Sequence, residues 1–215
     1  MLSLKRKGSY LHAFVTPEDY LTFSLGNRKI SGNVLIFNLP AGAGSNGTCK
    51  QSCPGCYALK AERIYPSARR ARERNLQVLQ KHGPHILYDA VRYILEKQPL
   101  KGIRIHESGD FFNQEYFETW NDIADLAYRA KGVRTWTYSK RYDRGQVTTP
   151  GLNLVDSILP DGSLNYGPLE WVRKKEQEYN IPICPATMPG LKNTPICGRN
   201  CNWCLEEPHM LFVQH

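Results

Sequence analysis

The sequence predicts an α/β protein on a parallel sheet with crossover helices, either a partial barrel or an open doubly wound sheet. Two observations carry that expectation. Short apolar, strand-like runs alternate with segments of helical spacing from residue 34 to residue 184. The chemically distinctive residues also fall directly after the apolar runs, where folds of this kind bind ligands. Beyond Pro185 the chain turns loop-rich and cysteine-rich.

The elements follow in order. Residues 13–40 read as extended, with Phe23 to Leu25 apolar and turn signals at Gly26-Asn27 and Gly32-Asn33. Val34-Leu-Ile-Phe37 is a short apolar strand, and a Gly-rich loop at 41–47 runs from it into Cys49. A helix is expected over Ser67 to His82, with Pro66 at its start and Gly83 as its stop. A second helix spans His85 to Lys97, where Ile86, Ala90, Val91, Ile94 and Leu95 recur at helical spacing. Gly102 to His106 is a strand that ends in Glu107-Ser-Gly-Asp110. Gln114 to Ala130 is a helix with Phe117, Trp120, Ile123, Ala124 and Ala127 on one face. Strands at 133–138 and 152–158, a helix at 168–179 and a short strand at 181–184 complete the series. Cys49–Cys56, Ser108–Asp110, Ser139–Lys140 and Cys184 all follow strand ends, so they are expected to meet on one rim.

A chain of 215 residues can bury a sizeable core. It divides into residues 1–184, the α/β unit with the first cysteine motif, and residues 185–215, a C-terminal segment that uses Cys184 as well. The net charge is +8, which suits an anionic ligand or a nucleic acid and names neither. No apolar run approaches the ~18 residues of a membrane span. The basic start lacks the apolar stretch of a secretory signal. A cytoplasmic setting is expected, with thiols reduced and cysteines serving as metal ligands.

Six of the seven cysteines form two copies of Cys-x3-Cys-x2-Cys, at Cys49, Cys53, Cys56 and at Cys197, Cys201, Cys204. Three thiolates on a short loop can hold three corners of an iron–sulfur cube. The count then implies two [4Fe–4S] clusters. One, on Cys49, Cys53 and Cys56, would have an open iron. The other, closed, would use Cys184, Cys197, Cys201 and Cys204 as an auxiliary cluster. A structural zinc is the alternative for the second set, since four thiolates suit tetrahedral coordination.

The first motif, on a loop after the first α/β strand, resembles the radical S-adenosylmethionine superfamily. That resemblance implies a partial (β/α) barrel with S-adenosylmethionine chelated by the open iron. Ser108, Gly109 and Asp110 take the place of the family's Gly-Gly-Glu-like stretch, which receives the methionine amino group. Tyr138, Ser139 and Lys140 would complete the cofactor-binding set. The family's aromatic residue before the third cysteine is Gly55 here, and Tyr57 follows Cys56 instead. A wider resemblance rests on Phe37-Asn-Leu-Pro-Ala41, Cys56-Tyr-Ala58, Arg104-Ile-His-Glu-Ser-Gly-Asp-Phe111, Trp136-Thr-Tyr-Ser-Lys140 and the closing cysteines. These are similar to the bacteriophage gene product 88-like family, which implies a phage origin and host cytoplasm but no substrate.

The expected function is therefore a two-cluster iron–sulfur protein resembling radical S-adenosylmethionine enzymes. The alternative is a non-enzymatic iron–sulfur redox-sensing or regulatory protein that binds a host partner or nucleic acid. Arg69, Arg70, Arg72 and Arg74 on one helix would supply that surface, unless they form a solvated face with partners such as Glu73. Asp110 reads either as a ligand for an ammonium or as a helix cap. His106 reads as a core, hydrogen-bonded histidine. The Gly-rich loop at 42–47 lacks the Gly-Lys-Ser/Thr ending of a phosphate-binding loop.

Overall fold

The computed structural model describes residues 2–27, 29–45, 47–50, 53, 55–141, 145–190, 201, 203–207 and 209–213. Its framework is a seven-stranded sheet with the strands side by side in sequence order. Ser3–Lys7 (β1), Tyr10–Phe14 (β2) and Tyr20–Leu25 (β3) form an antiparallel meander. In β2 the alternation buries Leu11 and Ala13 and leaves the intervening positions more open. Val34–Phe37 (β4) pairs antiparallel with β3 and parallel with Gly102–Ile105 (β5). Arg134–Ser139 (β6) and Leu152–Asp156 (β7) extend the parallel run.

Between β4 and β5 come three helices, Tyr57–Ile64 (α1), Pro66–His82 (α2) and His85–Lys97 (α3). Gln114–Lys131 (α4) connects β5 to β6. It starts where the Asn113 side chain accepts a hydrogen bond from the Tyr116 N–H at 2.9 Å. Among the described residues, no helix connects β6 to β7.

Every residue of β4 is buried, because both faces of the sheet are covered. Leu35 and Phe37 join Ile103 and Ile105 against the apolar stripes of α2, α3 and α4. Ile86, Leu87, Ala90, Val91, Ile94 and Leu95 of α3 are all buried there. Large aliphatic side chains buried in this way contribute about 1.5–3 kcal/mol each. Asn75 fastens α2 to the sheet by three bonds: it accepts from Thr22 N at 2.7 Å and donates to Thr22 O at 2.9 Å and Asn38 O at 3.0 Å.

The second face is covered by the C-terminal segment. Val34, Ile36 and Trp136 pack with Ile30 and with Cys204 of the short helix Trp203–Glu206. The Asn153 side chain donates to the carbonyls of Cys204 and Glu207 at 2.8 Å each, tying that helix to β7. Leu169–Tyr179 (α5) makes a smaller core with Ile181, Ile183, Leu211 and Val213. Tyr166–Gly167 (β8) pairs in parallel with Phe212–Val213 (β9) beside it.

The helices expected from apolar spacing lie where the sequence places them, to within about a residue. The partial (β/α) barrel does not. The sheet is open, with β1 and β7 as its edges. A barrel needs a continuous, tilted run of strands that closes on itself. Here the parallel run has four strands, and the meander β1–β3 occupies the free side of β4. The extended reading of residues 13–40 contained β3 and β4 and the end of β2, but not their antiparallel pairing. The strand expected at 181–184 is only a bridge between Ile183 and Leu211. Among the described residues, no helix is long and apolar enough to cross a membrane.

Candidate functional site

The carboxyl ends of β4, β5 and β6 lie side by side, and polar side chains join the loops that leave them. Asn38 Oδ1, just past β4, accepts from the backbone N–H of Glu107 at 2.7 Å and of Ser108 at 3.0 Å. Thr48 Oγ1 donates to Pro40 O at 2.9 Å and accepts from Asp110 N at 3.0 Å. Gly109 sits at φ +86°, and a Cβ there would lie 2.6 Å from Thr48 Oγ1 and 2.8 Å from Leu39 Cβ. Only glycine allows the two loops to approach this closely.

Asp110 links this pair of loops to β6. One carboxylate oxygen accepts from Ser139 Oγ and Phe111 N, both at 2.8 Å, and the other accepts from Lys140 N at 3.1 Å. Burial pushes its pKa up, and the bonds from Lys140, Phe111 and Ser139 oppose that shift. The cap of α4 is Asn113, so Asp110 serves instead as a bridge between two strand ends. Just upstream, His106 is buried at φ +59°, outside the usual range for a residue with a Cβ. Its Nε2 meets the Tyr116 hydroxyl at 2.8 Å, and its Nδ1 is buried with no hydrogen-bond partner. Burial, with help from the Arg104 charge, pulls its pKa down to about 3, so the ring is neutral.

The first cysteine motif rests on this rim, and its three thiols have three different surroundings. The Cys49 backbone donates to Gly42 O at 3.0 Å, and burial pushes the Cys49 thiol up to about 11. Cys53 is partly exposed and hydrogen-bonded by Lys140. Burial pulls the Lys140 pKa down, but the charge and hydrogen bond of Cys53 outweigh it and the net shift is upward. Cys56 occupies the N-cap position of α1. The Tyr57 ring, next in sequence, lies mostly in solvent while its hydroxyl donates to Glu107 O.

A cavity of about 640 Å³ opens beside the motif, lined by Ala41, Cys53, Cys56, Leu59, Glu62 and Arg63 among others. Its floor is Glu62, whose Oε1 accepts from Ala41 N at 3.0 Å, Arg72 Nη1 at 2.9 Å and Ser108 Oγ at 3.3 Å. Ser108 therefore props the cavity from behind, while Gly109, Asp110, Ser139 and Lys140 stand on the other side of Cys53. The arginine group of α2 is spread among different partners. Arg72 pairs with Glu62, Arg69 pairs with Glu73 at 2.7 Å, Arg74 stacks over the Tyr20 ring, and Arg70 is exposed.

The remaining described cysteines lie elsewhere. Cys184 and Cys204 are buried against the second face of the sheet, and Cys201 is partly exposed. The Tyr138 hydroxyl donates to Cys204 Sγ at 2.7 Å, and the Tyr138 ring carries the Arg104 guanidinium 4.0 Å from its centre. The Tyr138 hydroxyl thus reaches the second face of the sheet. Cys197 is outside the described residues.

This arrangement corrects the expected cofactors. Among the described residues, no group of three or more His, Cys, Asp or Glu side chains is placed to hold a metal ion. That finding overturns the two expected [4Fe–4S] clusters. Neither Cys49, Cys53 and Cys56 nor Cys184, Cys201 and Cys204, the described members of the second set, form such a group, and Cys197 lies outside the described residues. S-adenosylmethionine, expected on an open iron, loses that anchor, and both Asp110 oxygens meant for its amino group are engaged.

Sequence reasoning missed Asn38, Thr48 and Glu62, which are ordinary polar residues until the fold brings them together. Arg104 could have been noticed, because it interrupts the otherwise apolar run Gly102-Ile-Arg-Ile.

The fold and rim define a mixed α/β protein with a thiol-bearing site at the ends of its parallel strands. The model of the gene product 88 family matches residues 15–156, so the chain belongs to that family. The match runs from just after β2 to the end of β7, and it takes in the rim and the first cysteine motif. It supports the phage gene-product resemblance and not the radical S-adenosylmethionine one. Neither a curated protein nor a solved structure matches the chain.

Proposed function

We propose that this protein binds a small molecule at the carboxyl-end rim of β4–β6 and meets it with the Cys53 thiol. The observation that carries this reading is a partly exposed thiol that lines a cavity and is hydrogen-bonded by a lysine. Reactive cysteines characteristically lie in partly exposed, electropositive surroundings. Cys53 has Lys140 beside it, and Arg63 and Lys60 line the adjoining space. Cys184 and Cys204 are buried and serve the fold on this reading, and Cys49 is disfavoured because burial raises its thiol pKa. Open α/β sheets bind ligands at the carboxyl ends of their strands, which supports the same location. The paired arginines of α2 favour a role in the fold for Arg69 and Arg72 over one in nucleic-acid binding.

The test is alkylation by iodoacetamide at neutral pH, followed residue by residue by mass spectrometry. Replacing Lys140 by Met removes the ammonium that hydrogen-bonds Cys53 and with it the electropositive surroundings in which reactive cysteines are found. Lys140→Met is expected to slow Cys53 alkylation several-fold without slowing Cys56. An unchanged Cys53 rate would remove the basis for the pairing.

A further inference from the structure

We propose that Arg104 anchors an oxyanion, a carboxylate or phosphate group, of the ligand taken by the rim. This inference deepens the rim-binding reading and rests on it for the ligand's location. Arg104 is only 7 % exposed, yet it lies in the central parallel strands of the sheet. Among the described residues its buried Nη1 has no hydrogen-bond partner, its Nη2 makes one long bond, to His106 O at 3.3 Å, and no carboxylate forms an ion pair with it. The guanidinium lies over the Tyr138 ring, Cζ 4.0 Å from the ring centre.

An arginine stays charged in a protein, and a buried charge is costly unless it is paired and hydrogen-bonded. The contact with Tyr138 is made through the π-face and supplies no acceptor, so the Nη1 edge of the guanidinium is left without one among the described residues. That edge matches what a carboxylate or phosphate supplies, since the guanidinium fork is shaped for two parallel bonds to such a group. Its place agrees. Arg104 is the penultimate residue of β5, its Nη2 turns toward the strand's exit, and its charge acts on the Tyr57 hydroxyl at the rim. A purely structural arginine at this depth would be expected to have a built-in counter-charge, as Arg72 has in Glu62.

The experiment titrates wild type, Arg104→Met, Arg104→Lys and the surface control Arg70→Gln with inorganic phosphate and, separately, with succinate. Calorimetry is run at low ionic strength, with thermal melts and circular dichroism in parallel. Wild type and Arg70→Gln are expected to bind one of the two probes at a single site, and the probe that binds gives the ligand class. Arg104→Met should weaken that binding at least tenfold, and Arg104→Lys should weaken it less. Without probe, the melting temperature of Arg104→Met should equal or exceed that of wild type, because an uncompensated buried charge has been removed. Failure of both probes to bind wild type, or equal binding by folded Arg104→Met, would overturn the proposal. If neither probe binds but Cys53 keeps its Lys140-dependent reactivity, the anchor falls and the rim reading stands. If a probe binds through Arg104 while Cys53 is inert, the rim thiol falls and the anchor stands.

Discussion

His106 makes the stability of this protein depend on mild acid in a way that can be calculated. Its ring is buried and neutral, with a pKa lowered from 6.5 to about 3. In the unfolded chain the ring takes up a proton near pH 6.5, while the folded chain refuses it until about pH 3. Protons therefore favour the unfolded state throughout that window. The contribution of His106 is complete above the unfolded value and is lost as pH falls below it. Between pH 7 and pH 5 the loss comes to about 2 kcal/mol. His106→Asn removes the titration and keeps a side chain that tolerates positive φ. The variant will be less stable at pH 7, because the Tyr116 hydroxyl loses its partner. The informative quantity is the change between the two pH values, read from urea unfolding at each. Wild type is expected to lose about 2 kcal/mol more than His106→Asn. Equal losses in the two proteins would refute the argument, since the other titrating groups are common to both.

Two further predictions concern the supports of the rim. Asn75→Ala removes three bonds that hold α2 to β3 and to the exit of β4. It should cost about 3 kcal/mol or more in urea unfolding, because buried backbone groups at Thr22 lose their partner. A cost under about 1 kcal/mol would mean that other groups replace those bonds. Arg72→Met leaves Glu62 buried without its counter-charge and is expected to cost about 3–5 kcal/mol. Adding Glu62→Gln should recover much of that loss, and a double variant as unstable as the single one would argue against the pair.

The helices and parallel strands were legible because each buries one continuous apolar stripe. Leu76 and Leu79 of α2 and the series Ile86 to Leu95 of α3 face the sheet as their spacing requires. The meander was hidden because β1, with the sequence Ser-Leu-Lys-Arg-Lys, is mostly exposed and offers almost no apolar alternation. Its pairing depends on β2 rather than on its own composition. The open sheet was misread as part of a barrel because strand–helix alternation is common to both, and closure depends on partners that local patterns do not specify. Cys53, Ser108–Asp110 and Ser139–Lys140 do meet at strand ends, as position suggested, whereas Cys184, expected on the same rim, packs with Val155 and Met210. Cysteine spacing is compatible with a cluster, but the placement of each thiol depends on tertiary neighbours such as Lys140 that spacing does not specify. Asp110 reads alone as a cap or a ligand, and only the nearness of β6 makes it a bridge.

The most direct test of the account compares the alkylation rates of the cysteines in folded wild-type protein. Iodoacetamide at neutral pH, quenched over a time course and resolved by peptide, ranks them. Cys53 is expected to react well before Cys49, whose thiol pKa partial burial pushes up to about 11, and before the buried Cys184 and Cys204. Cys49 reacting as fast as Cys53, or Cys53 proving inert until the protein unfolds, would contradict a reactive thiol at the rim.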